Sequence, residues 1–171
     1  MIITGGKYRG QKITAPDENI TRPTLSKVRM AVFNTLQSMI DFEGKSFLDM
    51  YAGSGIMGLE AISRGFAELL ACEKNKEVYR ILKNNFSKYE KENKIEAFLK
   101  DSIKYVQSTD KFFDVVYIDP PYYSGVYEES LNAIKGKAGI VILEHVTPVD
   151  FGEFELIKQK KYGNKTISLL S

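Results

Sequence analysis

A chain of 171 residues, 43% hydrophobic and 27% charged, has the size and composition of one globular domain with its own core and leaves little room for a second. Its single cysteine (Cys72) and single histidine (His145) exclude an intramolecular disulfide and a Cys/His zinc centre, so no metal is expected. The net charge of +2 is unevenly spread: within residues 1–30, Lys7, Arg9, Lys12, Arg22, Lys27 and Arg29 stand against only Asp17 and Glu18, so a basic segment precedes a slightly acidic body.

MIITGGKYRG lacks the apolar core of a secretion signal and no apolar run approaches the ~20 residues of a membrane span, so a cytoplasmic location is expected. MIIT and QKITA read as two short strands around the turn-forming GGKYRG, a small N-terminal β-hairpin. Residues 1–24 thus make a basic arm in front of a single domain spanning 1–171, and charge alone leaves open whether it meets phosphates or is simply solvated. Thr24 is placed to cap a helix whose apolar positions Leu25, Val28, Val32, Phe33, Leu36 and Ile40 keep helical spacing. From residue 45 the chain alternates. KSFLDM, AELLACE, KIEAFLK, FDVVYID and GIVILEH read as strands, with helices over 54–64, 75–92, 102–108 and 126–135 between them. Short apolar strands alternating with helices predict an α/β fold with a mostly parallel, doubly wound sheet. At the end, EFELIKQKKY and KTISLLS flank Gly163-Asn164, the signal of an antiparallel hairpin.

The first apolar strand runs into Asp49-Met50-Tyr51-Ala52-Gly53-Ser54-Gly55-Ile56-Met57-Gly58, a strand that ends in a glycine turn and opens into a helix. Gly53 and Gly55 let the backbone bend and let a ligand approach with no Cβ in the way. The letters also satisfy the dinucleotide fingerprint, which keeps a nucleotide-dependent oxidoreductase open. Glu73, about twenty residues on, is placed to accept hydrogen bonds from both ribose hydroxyls, a role common to both cofactors. Asp101-Ser102 after the third strand is placed to meet an adenine amino group, and Asp49 the ammonium of a methionine moiety. A carboxylate before the glycine turn suits a positively charged cofactor and would repel a pyrophosphate. Tyr51, Ala52 and Ser54 complete the turn. The plainer reading of Glu73 and Asp101 is that each caps the helix after it. A closing antiparallel hairpin resembles the Rossmann-like S-adenosylmethionine-dependent methyltransferase fold more than a dinucleotide-binding fold, which more often ends in another parallel strand.

Asp119-Pro120-Pro121-Tyr122 directly follows the apolar FDVVYI. An exocyclic base nitrogen is a poor nucleophile because its lone pair is delocalised into the ring. It needs alignment with a methyl donor and acceptors for its two hydrogens as positive charge builds. Asp119 and the Pro120 carbonyl are candidate acceptors, the paired prolines fix the direction of the backbone, and Tyr122 offers a face for a base to stack on. Such catalysis is positioning plus electrostatics and needs no general base near neutrality. The competing reading is a plain strand-terminating Pro-Pro turn.

With these motifs in place the chain resembles, nearly end to end, the bacterial RsmD family of small-subunit (16S) ribosomal RNA methyltransferases acting on the guanine 2-amino group. The resemblance rests on Ile3 through Gly10, Arg22-Pro23-Thr24 with Lys27-Val28-Arg29, Phe33-Asn34, Ala52-Gly53-Ser54-Gly55 with Gly58-Leu59-Glu60-Ala61, and Asp119-Pro120-Pro121. Tyr122 stands where members often have Phe, and Tyr8 where Trp is frequent. The resemblance implies S-adenosylmethionine as cofactor and ribosomal RNA as partner, within an assembled or partly assembled 30S particle. It also implies that the GGKYRG loop and Arg22 face RNA and the active-site mouth, with Lys7, Arg9, Arg22 and Thr24 on the RNA side. A monomer is the default. DNA adenine or cytosine amino methylation, protein glutamine methylation and a catalytically silent assembly factor stay open as alternatives. His145 is expected to face solvent or a helix, Cys72 to be a small buried hydrophobe, and Lys158-Gln159-Lys160-Lys161 to be a solvated strand edge.

Overall fold

The computed structural model describes residues 1–17, 25–121 and 125–171. Twelve named elements follow in chain order: α1 (Ser26–Met39), β1 (Ser46–Asp49), α2 (Ile56–Ser63), β2 (Glu68–Glu73), α3 (Lys76–Phe86), β3 (Lys94–Leu99), α4 (Ser102–Gln107), β4 (Phe113–Ile118), α5 (Val126–Ile134), β5 (Ala138–His145), β6 (Leu156–Tyr162) and β7 (Lys165–Leu170). The strands form one sheet in the order β3-β2-β1-β4-β5-β7-β6. β1 to β5 pair in parallel, while β7 inserts antiparallel between β5 and β6. This is the doubly wound sheet with a closing antiparallel hairpin that the alternation predicts. Its strand order reverses between β1 and β4, where open α/β sheets bind their ligands.

Both faces are covered, which is why β1 and most of β4 are buried without alternation. Phe47, Val115, Tyr117, Ile142 and Ile167 face a core built with Val28 and Phe33 of α1, Ile56 and Leu59 of α2, and Leu82 and Phe86 of α3. Leu48, Val116, Ile118, Val141 and Leu143 face Val106 of α4 and Leu131 and Ile134 of α5. Among the described residues no helix is long and apolar enough to cross a membrane.

Helix ends differ from the expected ones where local chemistry outweighs apolar spacing. α3 stops at Phe86, and Ser87 to Asn93 turn back so that Tyr89 packs edge-on against Tyr8. α1 starts at Ser26, with Leu25 as a cap residue that makes no side-chain bond; Thr24 lies outside the described residues.

The N-terminal hairpin is present but short. Its one antiparallel bridge, Ile2–Lys12, is framed by Met1 and Ile13, which bond in both directions, and by Ile3 N–H donating to the Gln11 carbonyl; the ladder goes no further. The reason is that the backbone groups a ladder needs are spent on α2. Thr4 N–H donates to Glu60 at 2.5 Å, Lys7 N–H to the Ser63 carbonyl at 2.7 Å, and Tyr8 N–H to Ser63 Oγ at 2.9 Å. Gly6 makes this close approach possible. Its φ is +75°, and a Cβ there would lie 1.8 Å from the Ser63 carbonyl oxygen.

Candidate active site

The tips of β1 and β4 lie side by side, with Asp49 paired to Tyr117 and Met50 N–H donating to the Tyr117 carbonyl at 3.1 Å. Asp49 is 1% exposed, and its Oδ1 is buried with no hydrogen-bond partner among the described residues. Burial pushes its carboxyl up to about 7, against backbone bonds from Tyr51 and Gly58 that favour the charge, while Glu73 adds repulsion. A buried carboxylate oxygen left unpaired is costly. It fits a cationic group brought by a ligand.

Around it the glycine turn is tied to β2. Ala52 N–H donates to the Cys72 carbonyl, and Gly53 N–H donates to Glu73 Oε2 at 3.1 Å. Glu73 Oε1 accepts from Asn75 N–H at 2.8 Å, and Asn75, not Glu73, caps α3. Gly53 has φ +54°, and nothing lies within 4 Å of where its Cβ would be, so a ligand has room there. Gly55 is different from the expected reading. A Cβ on it would meet Phe86 at 2.4 Å and Leu82 at 2.6 Å, so this glycine makes room for α3 and not for a ligand. Gly58 likewise lets α2 settle on Leu69. Ser54 Oγ turns inward to the Ile56 N–H at 3.3 Å, and the Tyr51 hydroxyl bonds Ser130 of α5 at 2.7 Å. Asp101 does cap α4, accepting from Lys104 N–H at 3.1 Å, but Ser102 Oγ is buried without a partner among the described residues. The two orphaned oxygens, on Asp49 and Ser102, and the open space at Gly53 suit the donors of a nucleoside with an amino-acid tail.

Asp119 continues β4 and is 16% exposed. Burial first, and then the Glu144 carboxylate, push its carboxyl up to about 8; Asp49 adds to this, while Lys165 opposes it. Pro120 is buried and Pro121 exposed, and Tyr122 lies outside the described residues. Sequence reasoning missed the groups that govern Asp119. Lys165 Nζ sits 3.6 Å from Asp119 Oδ2 and also pairs with Glu144, which is 1% exposed and accepts from the Tyr117 hydroxyl at 2.7 Å. Lys165 opens β7, just after the hairpin turn, and Glu144 sits in an apolar strand, so no local motif flags either one. A buried Glu inside VILEH was the available signal.

Lys7 and Arg9 are not at this mouth. Lys7 and Arg9 are exposed on the loop docked at the C-terminal end of α2, near the amino ends of the strands, and Lys7 pairs with Glu92 at 2.8 Å. The loop goes there because Ser63 and Glu60 hold it; Glu60, fully buried, also pairs with Arg29 and Arg64. Arg22 and Thr24 lie outside the described residues. His145 is buried, its ring between Tyr127 of α5 and Phe151 and bonded to Ser168 Oγ at 2.8 Å, which is the helix-facing alternative. Cys72 is fully buried as expected.

Comparisons with known proteins place the chain in a family. A family model described as Conserved hypothetical protein 95, the RsmD family, matches residues 1–171. The chain belongs to the RsmD family. Ribosomal RNA small subunit methyltransferase D of Buchnera aphidicola is 32% identical over 139 residues, covering 81% of this chain and 71% of that protein. Among solved structures, "Putative methyltransferase yhhF from Escherichia coli" superposes with a TM-score of 0.86 at 26% identity, covering 99% and 96% of the two chains. The fold also matches the Pyrococcus abyssi tRNA (uracil-54, C5)-methyltransferase, solved with S-adenosyl-L-homocysteine, at a TM-score of 0.65 and 17% identity over 86% of this chain and 39% of that one. Gly5, Gly6, Arg29 and Glu60, which lie within the motifs that carry the resemblance, form the clamp that fastens the N-terminal segment and α1 to α2.

Proposed function

We propose that this RsmD-family chain transfers the methyl group of S-adenosylmethionine to the 2-amino group of a guanine in small-subunit (16S) ribosomal RNA. The substrate would be an assembled or partly assembled 30S particle, and the enzyme would act as a single-domain monomer without a metal. Family membership supplies the coarser part: the chain is an S-adenosylmethionine-dependent ribosomal RNA methyltransferase of Rossmann-like fold. The observation that carries the finer reading is the meeting of two carboxylates at neighbouring strand tips, Asp49 beside the glycine turn and Asp119 before two prolines.

The cofactor, when bound, supplies an electrophilic methyl group on a sulfonium. Asp49 is assigned its ammonium, because a cation there would satisfy the orphaned Oδ1. Glu73 is held by two backbone N–H groups and keeps lone pairs for ribose hydroxyls. Ser102, with Asp101, is assigned the adenine end. Asp119 and the Pro120 carbonyl accept the two amino hydrogens of the base and hold its nitrogen in line with the methyl group. Ionised Asp119 also offsets the positive charge that develops on that nitrogen. Tyr122 is assigned the stacking platform. Lys165 opposes the burial and the Glu144 charge that push the Asp119 carboxyl up, and so favours its ionised form.

Asp119→Ala tests this. Methyl transfer to small-subunit ribosomal RNA should fall at least about 100-fold, while calorimetric binding of S-adenosylmethionine persists. Duplex DNA should accept no methyl group from the parent enzyme. A fully active Asp119→Ala protein would overturn the assignment. Mass spectrometry of ribosomal RNA nucleosides from cells with and without the protein identifies the modified base.

A further inference from the structure

The far end of the sheet carries a basic strip that the active site does not use. β6 is the edge strand, and Leu156 to Lys161 are all exposed. Lys158, Lys160 and Lys161 lie along it with no acid between Leu156 and Tyr162 and no ion pair to a carboxylate among the described residues. In contrast, Lys7, Lys45, Lys83, Lys94, Lys111, Lys135 and Lys165 are each paired.

Strand register decides where this charge points. Lys160 pairs with Ile167, Ile167 with Glu144, and Glu144 sits beside the position that continues β4, which is Asp119. Lys158 pairs with Leu169, in the row that leads through Ile142 to Tyr117. Side chains directly opposite one another across a ladder share a face. Lys158 and Lys160 therefore project on the same face as Asp119, Glu144 and Lys165. Three strand spacings of ~4.8 Å put Lys160 roughly 14 Å from Asp119 along one row. Tyr162 pairs with Lys165, and Lys160 Nζ lies over its ring, 5.3 Å from the centroid. The basic loop at Lys7 and Arg9 is held on the β3 side of the sheet, where Lys7 pairs with Glu92, away from this strip.

We propose that Lys158 and Lys160, on the open face of β6, carry the phosphate backbone of the RNA strand that delivers its base to Asp119. This rests on the ribosomal RNA reading above and names the surface by which that substrate is held. A row of ammonium groups without carboxylate partners, leading to the acceptor Asp119, complements a polyanion, and such contacts position a strand without reading its sequence. A lysine-bearing edge also discourages strand pairing between copies, so the test separates the two roles.

Lys158→Glu/Lys160→Glu keeps the edge charged and reverses its sign. As a control of equal charge change, Lys88→Glu/Lys91→Glu alters two exposed lysines in the turn leading into β3, at the other edge of the sheet. The full-length proteins are titrated with small ribosomal subunits and their assembly precursors purified from cells lacking the protein, at about 50 and about 200 mM salt, with methyl transfer to their 16S ribosomal RNA and sedimentation of the free proteins followed in parallel. The β6 variant should bind at least tenfold more weakly at low salt than the parent. Losing two phosphate contacts, at ~0.7 each in logarithmic salt slope, should make its binding about sevenfold less salt-dependent over that range. KM should rise with kcat little changed, and the control should behave as the parent. Equal RNA binding by the β6 variant and the control, or a change in sedimentation alone, would overturn the proposal. Because binding is read directly, that outcome does not depend on whether the parent methylates this RNA; failure of the parent to methylate it would count against the functional reading instead.

Discussion

Replacing Asp49 by Asn separates binding from stability at one atom. The Asp49 carboxyl is 1% exposed and raised from 3.8 to about 7, chiefly by burial. A raised carboxyl pKa means that the folded state prefers the proton. The contribution of this group to stability is therefore fully present below about pH 4 and is lost progressively as the pH rises to about 7. Above that, the ligand-free protein bears a shift of about 3 units at 1.36 kcal/mol per unit, or about 4 kcal/mol. At pH 5 only about 1.6 kcal/mol of this has accumulated. Asn is near-isosteric and never ionises, so urea denaturation of ligand-free protein should show Asp49→Asn gaining about 2.5 kcal/mol relative to the parent between pH 5 and pH 8. Binding of S-adenosylmethionine should weaken at least tenfold in the same variant, because the neutral amide cannot balance an ammonium. The pH-dependent part isolates the charge from any packing change. A stability difference that stays flat from pH 5 to pH 8 would refute the assignment of Asp49 as a buried, ligand-awaiting carboxylate.

Lys165→Met removes the cation 3.6 Å from Asp119 and should move the acid limb of the methyl-transfer pH profile upward by at least about one unit. The double variant Lys165→Met/Glu144→Gln, which also removes the buried acid, should bring it back towards the parent; an unmoved limb in the single variant would refute the coupling. Gly6→Ala forces a Cβ against the Ser63 carbonyl at φ +75° and should cost roughly 2–3 kcal/mol, a fall of about 5–10 °C in Tm. Gly10→Ala, at φ +85° with nothing within 4 Å, should cost about 1 kcal/mol in the same calorimetric scan.

Strand and helix existence, the parallel sheet, the closing hairpin and the positions of the glycine turn and the Asp-Pro-Pro turn were all legible in the chain, because apolar periodicity and glycine or proline punctuation are local signals. Asp49, Glu73 and Asp101 could be named for the same reason: each lies at or just after the end of a strand. What the structure alone decided depends on which distant segments meet. Gly55 serves the packing of Phe86, the signature residues of the N-terminal loop serve a clamp on α2, and Lys7 and Arg9 end up at the edge of the sheet away from the site. Glu144 reaches Asp119 because β5 pairs with β4, and Lys165 only because β7 inserts between β5 and β6. Strand order and register are set by the burial of whole faces and by loop closure between remote residues, and neither leaves a mark in any short stretch of sequence.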